Sequence, residues 1–316
     1  SEGSFMKGAN GQSLDGNVLK SKGSSWIVQP DSGETIDGGT WSNCTLWDPG
    51  DTDLNGTPDD PNIDSFVWNI PAGDTSGFIA NGVTLDGSGR DAMRITNASN
   101  AILNGMVITG TNASATGIGV HVIRTNNANT LLTIAGGTIQ GSHETGIKIN
   151  ARVGGAITGV LIAPSSTNAT SVHVDNPSDT SGRTALTISS NTITRGGTGE
   201  GILVEKTGTG IGSRTCVAPC TDMGEGAVTI SGNGSNETIF DWINIAATYV
   251  GEYAISGNMR TGDRASNDAQ VAASTFLGYI RNGIVITDAD CDGPRAVRMS
   301  IPGVGLVRMQ ICDDTD

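Results

Sequence analysis

Leu132-Thr133-Ile134-Ala135-Gly136-Gly137-Thr138-Ile139 returns as Leu186-Thr187-Ile188-Ser189-Ser190-Asn191-Thr192-Ile193. It comes back as Val228-Thr229-Ile230-Ser231-Gly232-Asn233 and, more loosely, as Ala254-Ile255-Ser256-Gly257-Asn258. A second phrase answers it: Thr116-Gly117-Ile118-Gly119-Val120, Thr145-Gly146-Ile147-Lys148-Ile149, Glu200-Gly201-Ile202-Leu203-Val204 and Asn282-Gly283-Ile284-Val285-Ile286. Each cycle holds a short apolar strand, a Gly/Ser/Asn corner, a second strand, a loop, and a Gly-Ile strand. One such cycle is one coil of a solenoid, and a repeat of this kind takes precedence over any other fold reading.

Working outward, equivalent Gly-Ile strands recur every 25 to 30 residues or so where the coils are regular. Residues 78–293 are expected to form eight to ten coils. At about 4.8 Å per coil they make a rod roughly 40–50 Å long. Within the strands, alternation sends Val120, Val122, Ile147, Ile149, Val172 and Val174 inward. It sends His121, Lys148 and His173 outward. Asn104, Gly137, Asn191, Asn233 and Asn258 fall at corners, where the chain turns with positive φ. Stacked coil on coil, their amides can bond one another in a ladder.

Residues 1–77 differ. They hold four of the five tryptophans, Trp26, Trp41, Trp47 and Trp68, and lack the tidy repeat. The end of a solenoid exposes unpaired backbone, so this segment reads as an N-terminal cap with one or two early coils. Residues 294–316 read as closing strands.

Composition agrees with a thin-stranded, turn-rich protein. Of 316 residues 46 are Gly, while aromatics make up 4% and charged residues 16%. No amphipathic helix and no apolar run long enough to span a bilayer is evident. The formal net charge of −14 argues against a nucleic-acid partner, which needs clustered Lys and Arg. It suits an exported protein, extracellular or on a cell surface, whose leader has been removed. Five cysteines fit an oxidising compartment, with local disulfides expected within Cys216/Cys220 and Cys291/Cys312. Cys44 is left over, either buried, free or bonded to another chain. Zinc lacks further ligands at suitable spacing.

The whole pattern resembles the right-handed parallel β-helix of the pectate-lyase-like superfamily, over about residues 78–290. That superfamily spans polysaccharide lyases, glycoside hydrolases, epimerases, phage tailspikes and adhesins without catalysis, so fold alone does not give function. In its lyases an exposed sheet face binds acidic sugars, and Arg, Lys or His removes a proton beside a carboxylate. Here Arg94, His121, Lys148 and His173 are the residues such a face would use. Matching on the Gly-Ile phrase, however, sets Gly119 level with Lys148. That breaks the stripe, and later coils add Leu203 and Val285. Asp175 with Asp179, and Glu200 with Glu205, are the carboxylate pairs a glycosidase would need. Aromatic stacking platforms are nearly absent between residues 78 and 240, which weighs against an enzyme.

The sharpest local motif is Asp51-Thr52-Asp53-Leu54-Asn55-Gly56-Thr57-Pro58-Asp59-Asp60-Pro61-Asn62. Alternating hard oxygens on Asp51, Asp53 and Asn55, a Gly, and then Asp59 and Asp60 match what a structural Ca²⁺ needs. The motif resembles EF-hand-like and thrombospondin type 3 calcium loops, with Asn62 where an EF-hand carries a bidentate Glu. Asp288, Asp290 and Asp292 repeat its first half. Seven glycosylation sequons occur, at Asn43, Asn55, Asn97, Asn112, Asn168, Asn233 and Asn236.

The expectation is an extracellular structural or adhesive rod, a surface-layer component, adhesin or fibre subunit. It would self-associate end to end or meet a cell-surface partner. In that picture the Trp-rich segment meets the 297–311 strands of a neighbour, with calcium and Cys44 as locks. The alternative is a polysaccharide lyase or epimerase acting on uronate-containing polymers through the Arg94/His121/Lys148/His173 face. A trimeric tailspike is a third reading, unsupported by any coiled-coil segment.

Overall fold

The computed structural model describes residues 4–6, 12–20, 26–29, 38–53, 55, 57–70, 77–114, 116–123, 130–150, 153–175, 186–194, 198–205, 228–235, 243–245, 253–256, 258–260, 269–271, 295–301 and 305–311. Every regular element among them is a β-strand, and parallel ladders wind all but the last two strands into a solenoid. The first ladder has ten strands in chain order. They are Ser4–Met6, Trp26–Val28, Phe66–Asn69, Met93–Thr96, Ile118–Ile123, Thr145–Asn150, Thr170–Asp175, Ile202–Glu205, Ile243–Ile245 and Ala269–Val271. A second ladder runs from Gln12–Asp15 through Thr130–Gly141 to Tyr253–Ser256, and a third from Val18–Lys20 to Met259–Arg260. Strands Asn100–Asn112 and Thr130–Gly141 are long enough to serve both.

The bend between the second and third ladders explains the repeated phrase. One residue per coil sits there with positive φ, from Gly16 (64°) through Asn43 (52°), Gly82, Gly105, Gly136, Gly159 and Ser190 (56°) to Gly232 (63°). A residue with a Cβ is strained in this left-handed region, so Gly dominates and Asn or Ser substitutes. The next residue turns inward. Strand register makes that inward column Cys44, Val83, Met106, Gly137, Val160, Asn191, Asn233 and Asn258.

The last three of these form the expected amide file. Asn191 Nδ2 donates to Asn233 Oδ1 (2.9 Å), and Asn233 Nδ2 donates to Asn258 Oδ1 (2.9 Å). The backbone amides of Asn191 and Asn233 donate to the same two oxygens (3.0 Å each). The three Nδ2 groups also reach the carbonyls of Ile157, Ile188 and Ile230. All three asparagines are buried.

Cys44 occupies this same corner and is a buried free thiol, 3.2 Å from the Ser42 carbonyl oxygen and 3.6 Å from that of Leu14. Enclosed in this way, it does not serve as the intermolecular lock expected of it. Cys216, Cys220, Cys291 and Cys312 lie outside the described residues.

The strands of the segment expected as cap and early coils lie in the same three ladders as the rest. Its tryptophans face inward: Trp41 meets Phe66, Trp68 and Phe78 edge-on at centroid distances of 5.3, 5.7 and 6.1 Å. Trp26, Trp41 and Trp68 are buried, and only Trp47 is exposed. Three of the four tryptophans thus serve the interior of the early coils. Aromatic bulk fills the early coils, and Ile, Val and Leu fill the later ones. Arg295–Ile301 and Gly305–Ile311 pair antiparallel as a separate two-stranded sheet.

Candidate functional site

The outer face of the first ladder carries the chemistry. Pairing runs Arg94↔His121↔Lys148↔His173, on four consecutive strands, so the row is continuous. The break expected from the Gly-Ile phrase is corrected, because Gly119 and not Gly117 is the glycine level with Gly146. Val120 pairs with Ile147, which sets Gly119 level with Gly146. A Cβ at Gly119 would lie 2.7 Å from the Ile139 side chain, and one at Gly146 equally close to that of Ile162. Close inner packing thus dictates Gly at that level. Gly117 answers a different need, against Asn112 and the Arg90 carbonyl. Beyond His173 the row continues with Leu203 and Asn244, and Val285 lies outside the described residues.

Adjacent strands in such a ladder lie about 4.8 Å apart, so the four side chains stand at rung spacing. Val120, Val122, Ile147, Ile149, Val172 and Val174 are buried, while His121, Lys148 and His173 are half-buried. His121 Nδ1 lies 2.8 Å from Asp91 Oδ2, with Asp91 almost fully enclosed. A carboxylate partner fixes the proton of a neutral imidazole on Nδ1 and leaves Nε2 as a proton acceptor. His173 uses the other nitrogen: Nε2 lies 2.7 Å from Glu205 Oε1. Between these two pairs Lys148 makes no ion pair or hydrogen bond with any described residue. Asn150, two residues on and facing the same way, has a buried Oδ1 without a partner.

Asp64 supports Asp91 from the preceding coil. It accepts from the Asp91 amide (3.1 Å) and from Arg90 through Nε (2.8 Å) and Nη2 (2.6 Å). Arg94 Nη1 stands 3.7 Å from the same carboxylate. The bond to Asp64 raises the Arg90 pKa further, so its charge is permanent. Sequence reading missed Asp64 and Asp91. The available signal was their separation of 27 residues, one coil at that point in the chain.

Behind the face, at the corner leading into the Lys148 strand, His143 is 1% exposed. Neither ring nitrogen meets a hydrogen-bond partner. Burial pushes its pKa down to about 4, opposed by the Gln140 backbone and by the charge of Asp91.

The acidic loop is closed by its own groups. Asp51 and Asp53 both accept from the Asn55 amide (3.1 and 3.2 Å). Asp59 accepts from the Thr52 amide and hydroxyl, and Asp60 from the Asn62 amide. Among the described residues no three His, Cys, Asp or Glu side chains converge as metal ligands. Asp288, Asp290 and Asp292 lie outside the described residues. Of the carboxylate pairs, Asp179 also lies outside them, Glu200 receives Asn244 Nδ2 (3.3 Å), and Glu205 serves His173. Two sequons fall on buried side chains, Asn97 and Asn233, and are closed to glycosylation in the folded chain.

Fold and face together define a parallel β-solenoid with a mixed cation–carboxylate row on one sheet. No protein-family model matches the chain, and no curated protein or solved structure matches it either. The resemblance to the pectate-lyase-like superfamily therefore stands at the level of the solenoid alone.

Proposed function

We propose that this is an extracellular structural or adhesive solenoid that holds an acidic, uronate-bearing polymer along the Arg94–His121–Lys148–His173 row. The observation that carries the reading is Lys148. It is a half-buried cation without a partner among the described residues, flanked at rung spacing by two histidines whose second nitrogens face no described partner. A carboxylate set against Lys148 makes a charge-assisted hydrogen bond.

Surface plasmon resonance against immobilised polygalacturonate, alginate and hyaluronan tests it. At least one is expected to bind, more weakly as salt rises. Lys148→Ala is expected to reduce affinity by about 10- to 100-fold, the weight of a hydrogen bond to a charged group. No binding to any of the three, or equal binding by the variant, sinks the reading.

The Asp91–His121 pair favours one second reading. With Nδ1 tied to Asp91, His121 Nε2 is placed to take a proton from a carbon beside the polymer carboxylate. This is the chemistry of a lyase or epimerase. Ultraviolet-absorbing unsaturated ends or inverted sugar centres in the same polymers, lost in His121→Ala, would replace the first reading with this one.

A calcium ion at Asp51, Asp53, Asn55, Asp59 and Asp60 belongs to the proposal on the strength of the spacing alone. An ion that locks the loop raises the melting midpoint by mass action, by about 2.7 kcal/mol of stability at a hundredfold excess over Kd. Melting curves in calcium and in EDTA are expected to separate, and coincident curves remove the ion. Assembly into a surface layer or fibre rests on the rod itself, and electron microscopy of native material distinguishes filaments from single rods.

A further inference from the structure

We infer that the corner enclosing His143 is an acid-operated release for the polymer face, a regulation of the site that rests on the reading given above. His143 fills the turn between strand Thr130–Gly141 and strand Thr145–Asn150, the strand that carries Lys148. The turn is stapled on both sides. Ser142 donates its amide to the Gly110 carbonyl (3.3 Å), and its hydroxyl accepts from the Asn112 amide (2.6 Å). Ser166 Oγ donates to the Ser142 carbonyl (2.8 Å) from the coil above. On the far side the Glu144 amide donates to the Gly117 carbonyl (2.8 Å), and the Glu144 carbonyl accepts from Thr170 (2.9 Å). None of these staples engages the imidazole, whose nitrogens stay unbonded in an enclosed space.

The surroundings give a proton on His143 little support. The Gln140 backbone and the charge of Asp91 favour that proton, but less than burial disfavours it, and Asp91 is committed to His121. Arg90 is tied to Asp64, and Glu144 is its chain neighbour. The packed segments Gly110–Asn112, Thr116–Ile118 and Pro164–Thr170 contain no ionisable side chain. In the closed corner His143 therefore stays neutral until about pH 4, whereas in an opened corner it titrates near its ordinary 6.5.

The sign follows from that gap. Between these two values the open state binds the proton and the closed state does not, so acid favours opening. Closure is fully favoured above pH 6.5 and weakens as pH falls toward 4. At pH 5 the open population rises about 20-fold over its value at pH 7. Opening at residues 142–144 frees the start of the next strand, and Lys148 loses its place between His121 and His173. Charge alone predicts the opposite, since acid adds positive charge to a protein and so tightens its hold on a polyanion. That opposition makes the device testable.

Hydrogen exchange of the wild-type protein at pH 7 and pH 5, corrected for intrinsic rates, should show residues 142–150 opening about 20-fold more at pH 5. Rungs 186–194 serve as the internal reference. Binding to the tightest of the three polyuronates should weaken at pH 5 in the wild type and strengthen in His143→Leu. Unchanged exchange across 142–150, or binding that tightens at pH 5 in both proteins, overturns the device. The exchange measurement needs neither the variant nor a ligand. Absence of binding at pH 7 instead removes the polymer reading, while wild-type exchange still judges the corner.

Discussion

Replacing Asn233 by Ala is expected to destabilise the solenoid by on the order of 3–5 kcal/mol, read from urea unfolding followed by circular dichroism. The size follows from what the amide leaves behind. Asn191 loses the acceptor for both its backbone amide and its Nδ2, and the Ile188 carbonyl loses its donor. Each group is buried, and each unpaired one costs about 1–3 kcal/mol. Thr229, one residue from buried Ile230 on the same strand but pointing outward, is the control. Its replacement by Ala should stay within about 0.5 kcal/mol. An Asn233→Ala protein as stable as that control would mean the amides do not bond in file.

Trp41→Ala should cost a similar amount, about 3–5 kcal/mol, but in a different place. Trp41 is 1% exposed and packs edge-on to Phe66, Trp68 and Phe78, so the deletion opens a cavity among rings that also lose favourable edge contacts. A solenoid passes stability between neighbouring coils and little further. Exchange protection should fall across residues 39–85 and hold across 130–175, with near-ultraviolet dichroism reduced. Uniform loss along the whole chain would contradict this coil-by-coil coupling.

Much of this architecture was legible because solenoid geometry writes itself into local phrases. The left-handed bend selects Gly, Asn or Ser at one position per coil, as at Gly136, Ser190 and Gly232. Strict alternation placed Val120 inside and His121 outside, and both stand there. Register was harder. Sliding a strand by two residues preserves which side chains face out, so parity could not separate Gly117 from Gly119 as the partner of Gly146. Only the approach of Ile139 and Ile162, from a different ladder, decides it.

The tryptophans are a related case. A change in composition marks a change in what fills the interior as readily as it marks a boundary. Trp26, Trp41 and Trp68 do the work inside the early coils that Ile, Leu and Val do later. The row of Arg94, His121, Lys148 and His173 was readable by parity, whereas its buried partners were not. Asp64 and Asp91 come from corners, where no alternation applies, and they reach their partners across coils. His143 carries no signal in the local sequence, because enclosure is a property of the neighbouring coils.

The amide file has a directional side as well. Asn191, Asn233 and Asn258 each accept through Oδ1 from the coil on their N-terminal side: Val160, Asn191 and Asn233 supply the respective backbone donors. Their carbonyl dipoles therefore point the same way along the axis, and hydrogen-bonded amides in a line polarise one another. This half of the rod carries an internal electric axis, with its positive pole toward the C-terminal coils, while the Val83–Met106–Val160 half of the same column has hydrocarbon in place of those dipoles. A rod built this way is unlike end for end in its interior field as well as in its sequence.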